Sequence, residues 1–131
     1  MNANSDGEIA GFVLVNNGEI NNCMVLEESS LEISANKAYG FAKTNNGTIS
    51  YCLVTGNITG TEEAAGFVGV NSETGTISNC YANADVTASA GVAAGFAITS
   101  SSTQYAYSVG TVTGTTAYGF MYHGNASNCY T

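Results

Sequence analysis

A Gly-Phe dipeptide recurs five times along this chain of 131 residues, and its recurrence limits the fold more than any other feature. The glycines of these pairs are Gly11, Gly40, Gly66, Gly95 and Gly119. Their successive separations of 29, 26, 29 and 24 residues fall in the range of solenoid repeats, in which each unit contacts mainly its neighbours. Residues 1–131 are therefore interpreted as one repeat domain with half-coils at both ends.

Four of the repeats also carry an apolar residue three positions before a cysteine, after a polar turn, and the fourth repeat has lost both residues while keeping the spacing. The pairs are Ile20 and Cys23, Ile49 and Cys52, Ile77 and Cys80, Thr103 and Ala106, and Ala126 and Cys129. A β-branched residue follows six positions later, as Ile58, Val86 or Val112. Each unit is therefore predicted to form three short strands separated by Gly, Asn and Ser turns.

Thr, Val, Ile, Tyr, Asn and Gly dominate the repeat, and no apolar stripe of helical period persists, so the predicted class is all-β. A unit this short buries its apolar side only by pairing each strand with its copy about 4.8 Å away. The chain is predicted to form a single-stack parallel β-solenoid of about five coils, right-handed by the usual chirality of parallel crossovers. The expected core ladders, columns of equivalent residues from successive coils, are Gly11, Phe12, Ile20, Cys23, Gly40, Phe41, Ile49, Cys52, Gly66, Phe67, Ile77, Cys80, Gly95, Phe96, Ala106, Gly119, Phe120 and Cys129.

The direction of the Phe ladder is left open by simple alternation along the strand. The first residues after Phe are apolar: Val13, Ala42, Val68, Ala97 and Met121. The second residues vary freely: Leu14, Lys43, Gly69, Ile98 and Tyr122. This pattern puts the first set inside and the second outside, and strict alternation would put every Phe outside. A bend at each preceding Gly would instead turn the rings into the core, and exposing five rings is so costly that the bend is favoured.

The segment GFVGVNSETGTISNCYA, from Gly66 to Ala82, resembles the GLUG-type repeat of bacterial surface proteins, which include adhesins. The resemblance extends well over Gly11–Cys23 and Gly40–Cys52, partly over Gly119–Tyr130, and only in outline over Gly95–Tyr107. The family usually has Gly-Leu where this chain has Gly-Phe. The resemblance implies a glycine-rich β-solenoid at the cell surface or outside the cell, and a non-catalytic stalk or adhesive segment with no cofactor.

Charge and composition exclude several classes of function. Ten Asp and Glu against two Lys give a net charge of −8, so the chain is not expected to bind nucleic acid. No apolar run approaches the roughly 18 residues of a membrane span, and residues 1–8 lack the order of a signal peptide. With one His and no Arg, no catalytic site is predicted.

The four cysteines fit neither a disulfide framework nor a metal site. Their spacings of 29, 28 and 49 residues match no zinc signature. Stacking at about 4.8 Å also exceeds the roughly 3.8 Å between β-carbons in a disulfide. The column is interpreted as free thiols that pack as small apolar side chains.

Other polar residues give weaker signals of chemistry. His123 shares a column with Val15, Thr44, Val70 and Thr99, which supply no partners for a general base. The pairs Glu27-Glu28 and Glu62-Glu63 lack the ligand spacing of a calcium loop and are interpreted as solvated turns.

The two ends of the chain suggest a partner, namely another copy of the same protein. Residues 118–131 of one copy together with 1–9 of the next amount to 23 residues, close to the shortest repeat. The leading hypothesis is head-to-tail stacking into a fibre, or a surface-displayed stalk, with an excised piece of a longer repeat protein as the alternative. The residues expected at the assembling ends are Ile9, Tyr118, Met121 and Tyr130.

Three rival functions remain open. An adhesive module would offer outward side chains to a glycan or a host protein, with Asn22, Tyr51, Asn79 and Tyr105 as candidates. An ice-binding ladder is suggested by Thr111 and Thr113, but the equivalent Asn57 and Asp85 interrupt it. A polysaccharide-processing enzyme is least favoured, because Glu19, Glu73 and Asp85 are not expected to stack.

Overall fold

The computed structural model describes residues 2–4, 6–25 and 32–131 as strands, turns and bends, with no helix in these ranges. The first strands are β1 (Asn2–Asn4), β2 (Glu8–Ala10), β3 (Val13–Asn16), β4 (Glu19–Asn21), β5 (Met24–Val25), β6 (Glu32–Tyr39), β7 (Ala42–Asn45) and β8 (Thr48–Ser50). The later strands are β9 (Leu53–Ala65), β10 (Val68–Asn71), β11 (Thr76–Ser78), β12 (Tyr81–Ala94), β13 (Ala97–Gln104), β14 (Tyr107–Val109), β15 (Val112–Tyr118) and β16 (Met121–Ser127).

The strands form two parallel sheets that wind into a β-solenoid of about four turns. One sheet follows the order β1-β6-β9-β12-β14, with β2, β5 and β15 also paired to its members. The other follows β3-β7-β10-β13-β11-β8-β4, with β16 paired to β13. The hydrophobic core lies between the two sheets, because each coil turns its apolar side chains inward against its neighbours.

The finer expectation of five coils with three short strands each is not confirmed. The Gly-Phe column has five members, and five rungs enclose four full turns. The strands are also uneven in length, because β9 and β12 run for 13 and 14 residues. In the fourth unit β13 pairs with both β10 and β11, since the turn between those two strands has no counterpart there.

The Gly-Phe bend turns the Phe ladder into the core, so the alternative of an outward aromatic stripe is wrong. Phe41, Phe67 and Phe96 are fully buried. Successive rings are parallel, with centroids 4.7 to 4.9 Å apart along the whole column from Phe12 to Phe120. Each Phe N–H in the first four rungs donates to the carbonyl of the next Phe at 2.8 to 2.9 Å. Phenylalanines that are equivalent in the repeat are therefore in direct contact in the structure.

The expected inward side chains lie in the core, but the outward set is only partly outside. Val68 and Ala97 are fully buried, whereas Leu14 is exposed. Ile98 was expected outside and is buried, because it joins a second apolar cluster with Tyr39, Ala65 and Ala94 on the outer surface. Gly69 is buried as well, since the ring of Tyr39 occupies the place where a β-carbon at position 69 would lie. The Tyr39 hydroxyl donates to Glu63 Oε1 at 2.6 Å.

The differences in repeat length are absorbed at the corners. The turn between β10 and β11 spans residues 72–75, whereas only residues 46–47 separate β7 from β8. A bulge between Ala88 and Val92 adds one residue to β12 relative to β9. The register on either side of these insertions is kept, which is why the ladders continue through units of unequal length.

β6 begins with Glu32 and Ile33, and Ile33 is buried. The preceding residues 26–31, with the pair Glu27-Glu28, lie outside the described residues.

Candidate functional site

A buried ladder of amides runs along the turn that follows the Phe strand, and the sequence analysis missed it. Asn16 Nδ2 donates to Asn45 Oδ1 at 2.8 Å, and Asn45 Nδ2 donates to Asn71 Oδ1 at 2.8 Å. Asn71 Nδ2 continues the ladder to the hydroxyl of Ser100 at 2.9 Å. Each amide also bonds to the backbone of its own turn, as Asn45 does with the N–H and carbonyl of Gly47. The recurrence of Asn five residues after the Gly of the first three Gly-Phe pairs was the available signal, but it was interpreted only as a turn.

The cysteine ladder lies at the opposite corner, and all four members are free thiols. The N–H of Cys23 donates to Sγ of Cys52, and the N–H of Cys52 donates to Sγ of Cys80, both at 3.4 Å. Burial raises the pKa of Cys80 to about 12 and also raises the pKa of Cys52. These two thiols therefore stay neutral near pH 7 and pack as small side chains, with Ala106 buried as the fourth rung.

The residue before each member of the cysteine ladder has a left-handed backbone and points into solvent. We call this column the corner ladder, and its φ angles are 56° at Asn22, 53° at Tyr51, 53° at Asn79, 50° at Tyr105 and 54° at Asn128. Asparagine tolerates this conformation, whereas a bulky side chain is strained in it. The residues proposed for adhesion are thus exposed because the chain turns a corner at each of them.

Replacing Tyr51 by asparagine is expected to stabilise the fold by about 1 kcal/mol, because the left-handed conformation costs a bulky residue roughly that much. Little packing is lost, since Tyr51 is 61% exposed. The midpoint of urea unfolding measures the effect. The reverse change at an equivalent corner, Asn79→Tyr, is the matched control and should destabilise by a similar amount. If the Tyr51→Asn variant were no more stable than the parent, the backbone at Tyr51 would not be strained.

A second exposed column lies just beyond the cysteines, on the outer side of the sheet that contains β9 and β12. We call it the outer ladder, and it consists of Met24, Leu53, Tyr81, Tyr107 and Tyr130. Its tyrosine rings are parallel, with centroids 4.7 Å apart for Tyr81–Tyr107 and 5.1 Å apart for Tyr107–Tyr130. Desolvation and the neighbouring phenols Tyr81 and Tyr130 raise the pKa of Tyr107. The phenol of Tyr107 is therefore neutral near pH 7.

The corner ladder and the outer ladder together form a surface that we call the tyrosine face. Neither ladder contains a charged residue, although the chain carries a net charge of −8. The flanking columns are uncharged too, with Thr55, Asn83 and Val109 on one side and Ser50, Ser78, Gln104 and Ser127 on the other. The tyrosine face is therefore an uncharged band on an acidic protein.

The hydroxyl column suggested for ice binding is narrow, and its first rung is an asparagine, Asn4. Ser34, Thr59, Thr87 and Thr113 are in register. The neighbouring column contains Glu32, Asn57 and Asp85, and the Asp85 carboxylate accepts the N–H of Thr111 at 2.7 Å. The two columns line a shallow depression. Carboxylates beside a single column of hydroxyls do not make the flat array of threonines that the ice-binding hypothesis requires.

The carboxylates considered for catalysis do not come together. Glu19 lies in β4, Glu73 in the turn before β11, and Asp85 in β12 of the other sheet. Among the described residues no group of three His, Cys, Asp or Glu side chains is arranged to hold a metal ion. His123 is exposed in β16 and pairs in register with Thr99. The described part of the chain contains no helix long and apolar enough to cross a membrane.

Both end coils of the described structure leave core ladders partly open. Phe12 is 49% exposed, in contrast to the buried rings behind it. At the other end Phe120 and Cys129 are half-buried against the core. The four residues expected at assembling ends lie in these coils: Ile9 and Met121 half-buried against the core, Tyr118 beside the ring of Tyr122 at 4.9 Å, and Tyr130 at 64% exposure.

Comparison with known proteins identifies the repeat. The model of the GLUG motif matches residues 60–87, which contain the third Gly-Phe pair, Asn71 and Cys80. Searches of curated proteins and of solved structures gave no match. The matched segment supplies one rung to each of the Phe, Asn, Cys, corner and outer ladders, and these ladders run through the other units. The chain therefore contains a GLUG motif, at residues 60–87 of its repeat.

Proposed function

We propose that this protein is a non-enzymatic structural module, displayed outside the cell or on its surface, that stacks head to tail into a fibre. The observation that carries this proposal is the open coil at each end, where partly exposed core side chains adjoin unpaired strand edges. Among the described residues, β3 and β4 each pair on one side only, with β7 and β8, and β16 pairs only with β13. Exposed parallel edges of this kind are templates for another strand.

The internal register fixes how two copies would meet. Because each unit pairs with the next in the same columns, Phe120 of one copy would stack on Phe12 of the next. Cys129 would then lie over Cys23, and the free face of Tyr130 would lie over Met24. Such a junction is heterologous, so each added copy presents the same open end and growth continues.

The Gly18→Ala variant separates assembly from folding. Gly47 and Gly18 occupy equivalent turns, and a β-carbon at Gly47 would lie 2.0 Å from the carbonyl oxygen of Gly18. A β-carbon at Gly18 would meet nothing nearer than 4.0 Å in the single chain, but in the junction it would meet the backbone of the preceding copy in the same way.

We expect Gly18→Ala to unfold at the same urea concentration as the parent while failing to elongate. Sedimentation velocity across a range of protein concentrations and electron microscopy measure the elongation. Ser89→Ala, an exposed position in a side of the rod, is the control and should elongate normally. Because each copy carries a net charge of −8, the copies repel one another. Added salt screens this repulsion and should favour stacking of the parent. Short particles of one size for the parent at every concentration and salt would refute the proposal.

A short thiol-to-thiol cross-linker tests the register of the junction. Cys129 and Cys23 are both half-buried, at opposite ends of the rod. We expect the linker to produce a ladder of covalent multimers on a denaturing gel, and Cys129→Ser to remove it while elongation remains. Elongation of the parent with no covalent multimers would contradict the proposed register.

A second candidate function is adhesion through the side of the rod. It is favoured by the uncharged tyrosine face, because aromatic residues are enriched and charged residues depleted at the centres of binding surfaces. Tyr51, Tyr105 and Tyr130 are 61, 58 and 64% exposed, so they are available to a ligand.

A further inference from the structure

We propose that the tyrosine face binds a neutral, extended polysaccharide whose chain runs along the solenoid axis, across successive coils. This inference rests on the adhesive function given above as the second candidate, and it names the class of ligand.

The charge distribution selects a neutral ligand. The nearest carboxylates are those of Glu32 and Asp85, two columns away from the outer ladder, and that of Glu19 beyond the corner ladder, which accepts a hydrogen bond from Asn21 Nδ2 at 2.5 Å. The outer ladder contributes phenols and apolar side chains, and the corner ladder contributes only amides and phenols. An anionic polymer would meet the overall charge of −8, whereas a cationic one would find no carboxylate on this face to pair with.

The repetition of the surface selects a polymer. The three tyrosine rings of the outer ladder recur at intervals of 4.7 and 5.1 Å and are parallel to one another. A polysaccharide repeats its hydroxyl groups along its own chain, so every coil can make a similar contact. The surfaces of most folded proteins have no such translational repeat. Individually weak contacts add up when one chain holds them all, which is how a surface without a deep pocket binds firmly.

The side chains supply the contacts that sugars use. Tyr51 and Tyr105 project at corners two coils apart, and the amide of Asn79 lies between them in the column. Because the column neighbours of these tyrosines are asparagines, their rings are not stacked on one another and offer apolar faces to sugar C–H groups. The amide of Asn79 and the phenol edges of the outer ladder both donate and accept hydrogen bonds to hydroxyl groups.

Native gel electrophoresis through gels that contain dissolved polysaccharide tests the inference. We expect hydroxyethyl cellulose and glucomannan, which are neutral, to retard the intact chain, and alginate, which is anionic, to leave it unretarded. Fragments of two sugar units should compete far more weakly than the polymer.

The matched variant is Tyr51→Asn combined with Tyr105→Asn, which removes both rings and relieves two strained corners. Its fold should be at least as stable as the parent's, so weaker retention cannot come from unfolding. We expect roughly tenfold weaker retention, consistent with the loss of two aromatic contacts. Leu14→Ser removes an exposed apolar side chain away from the face and should be retarded like the parent.

The inference is overturned if neither neutral polysaccharide retards the parent, if alginate retards it equally, or if the double variant is retarded unchanged. Stacking is measured separately and depends on the coil ends. The Gly18→Ala variant should bind polysaccharide as a single copy, and the double tyrosine variant should still elongate, so failure of one proposal is distinguishable from failure of the other.

Discussion

Gly66→Ala is expected to destabilise the fold by about 3 kcal/mol or more. A β-carbon at this position would lie 2.0 Å from the carbonyl oxygen of Gly95 in the next coil. That oxygen belongs to the backbone, and hydrogen bonds hold the backbones of successive coils together. It therefore cannot move aside unless the coils separate. Urea unfolding followed by circular dichroism measures the loss.

Gly119→Ala is the matched control, because it changes the same column at its last rung. There an added β-carbon meets only the side chain of Thr131, at 3.1 Å, and a side chain can rotate away. We expect a change of less than about 1 kcal/mol. If the two substitutions destabilised the fold equally, the close approach of Gly66 to the backbone of the next coil would not be the reason that a glycine is needed there.

Asn45→Asp is expected to cost about 3 to 5 kcal/mol near neutral pH, although the two side chains have the same shape. Asn45 is fully buried, and its Nδ2 faces three acceptors: Gly47 O at 3.0 Å, Asn71 Oδ1 at 2.8 Å and Thr76 O at 3.3 Å. A carboxylate would place an oxygen against these oxygens and would also bury a charge.

The cost should depend on pH in a defined direction. Burial raises the folded-state pKa of the introduced carboxyl above its unfolded value of roughly 4. The variant is therefore closest to the parent below that pH, where the protonated acid donates one hydrogen bond, and it loses stability as pH rises through the folded pKa. Thermal unfolding of parent and variant between acid and neutral pH measures the difference.

Asn46→Asp controls for the change of charge. Its side chain bonds to Asn17 in an exposed position, so the same substitution one residue later should change stability by less than about 1 kcal/mol. An Asn45→Asp variant as stable as Asn46→Asp would show that the amide ladder does not hold the coils together.

The sequence predicts the parallel solenoid and its columns because a correct interpretation of one repeat unit applies to all the others. Once Gly66, Phe67 and Cys80 are aligned with their copies, the stacking follows from strand spacing. The inward direction of Phe67 depends on the bend at Gly66, which the cost of exposing five rings favours over strict alternation.

The features that were missed depend on contacts between columns or on conformation. Ile98 is buried because Tyr39 from an earlier coil covers the outer surface. The spacing of residues within one unit does not predict this contact. The left-handed corner was indicated by Asn22, Asn79 and Asn128, but tyrosine in the other two units hid the pattern. The tyrosine face emerges only when the corner ladder is set beside the outer ladder.

The contact between equivalent side chains of consecutive coils is tested most directly by nuclear Overhauser effects between phenylalanine rings. In the single chain we predict cross-peaks from Phe41 to Phe67 and from Phe67 to Phe96, whose ring centroids lie 4.8 and 4.7 Å apart. Phe41 and Phe96 are two rungs apart and should share none. Rings of Phe41, Phe67 and Phe96 that show cross-peaks to other side chains but not to one another would contradict the stacked coil.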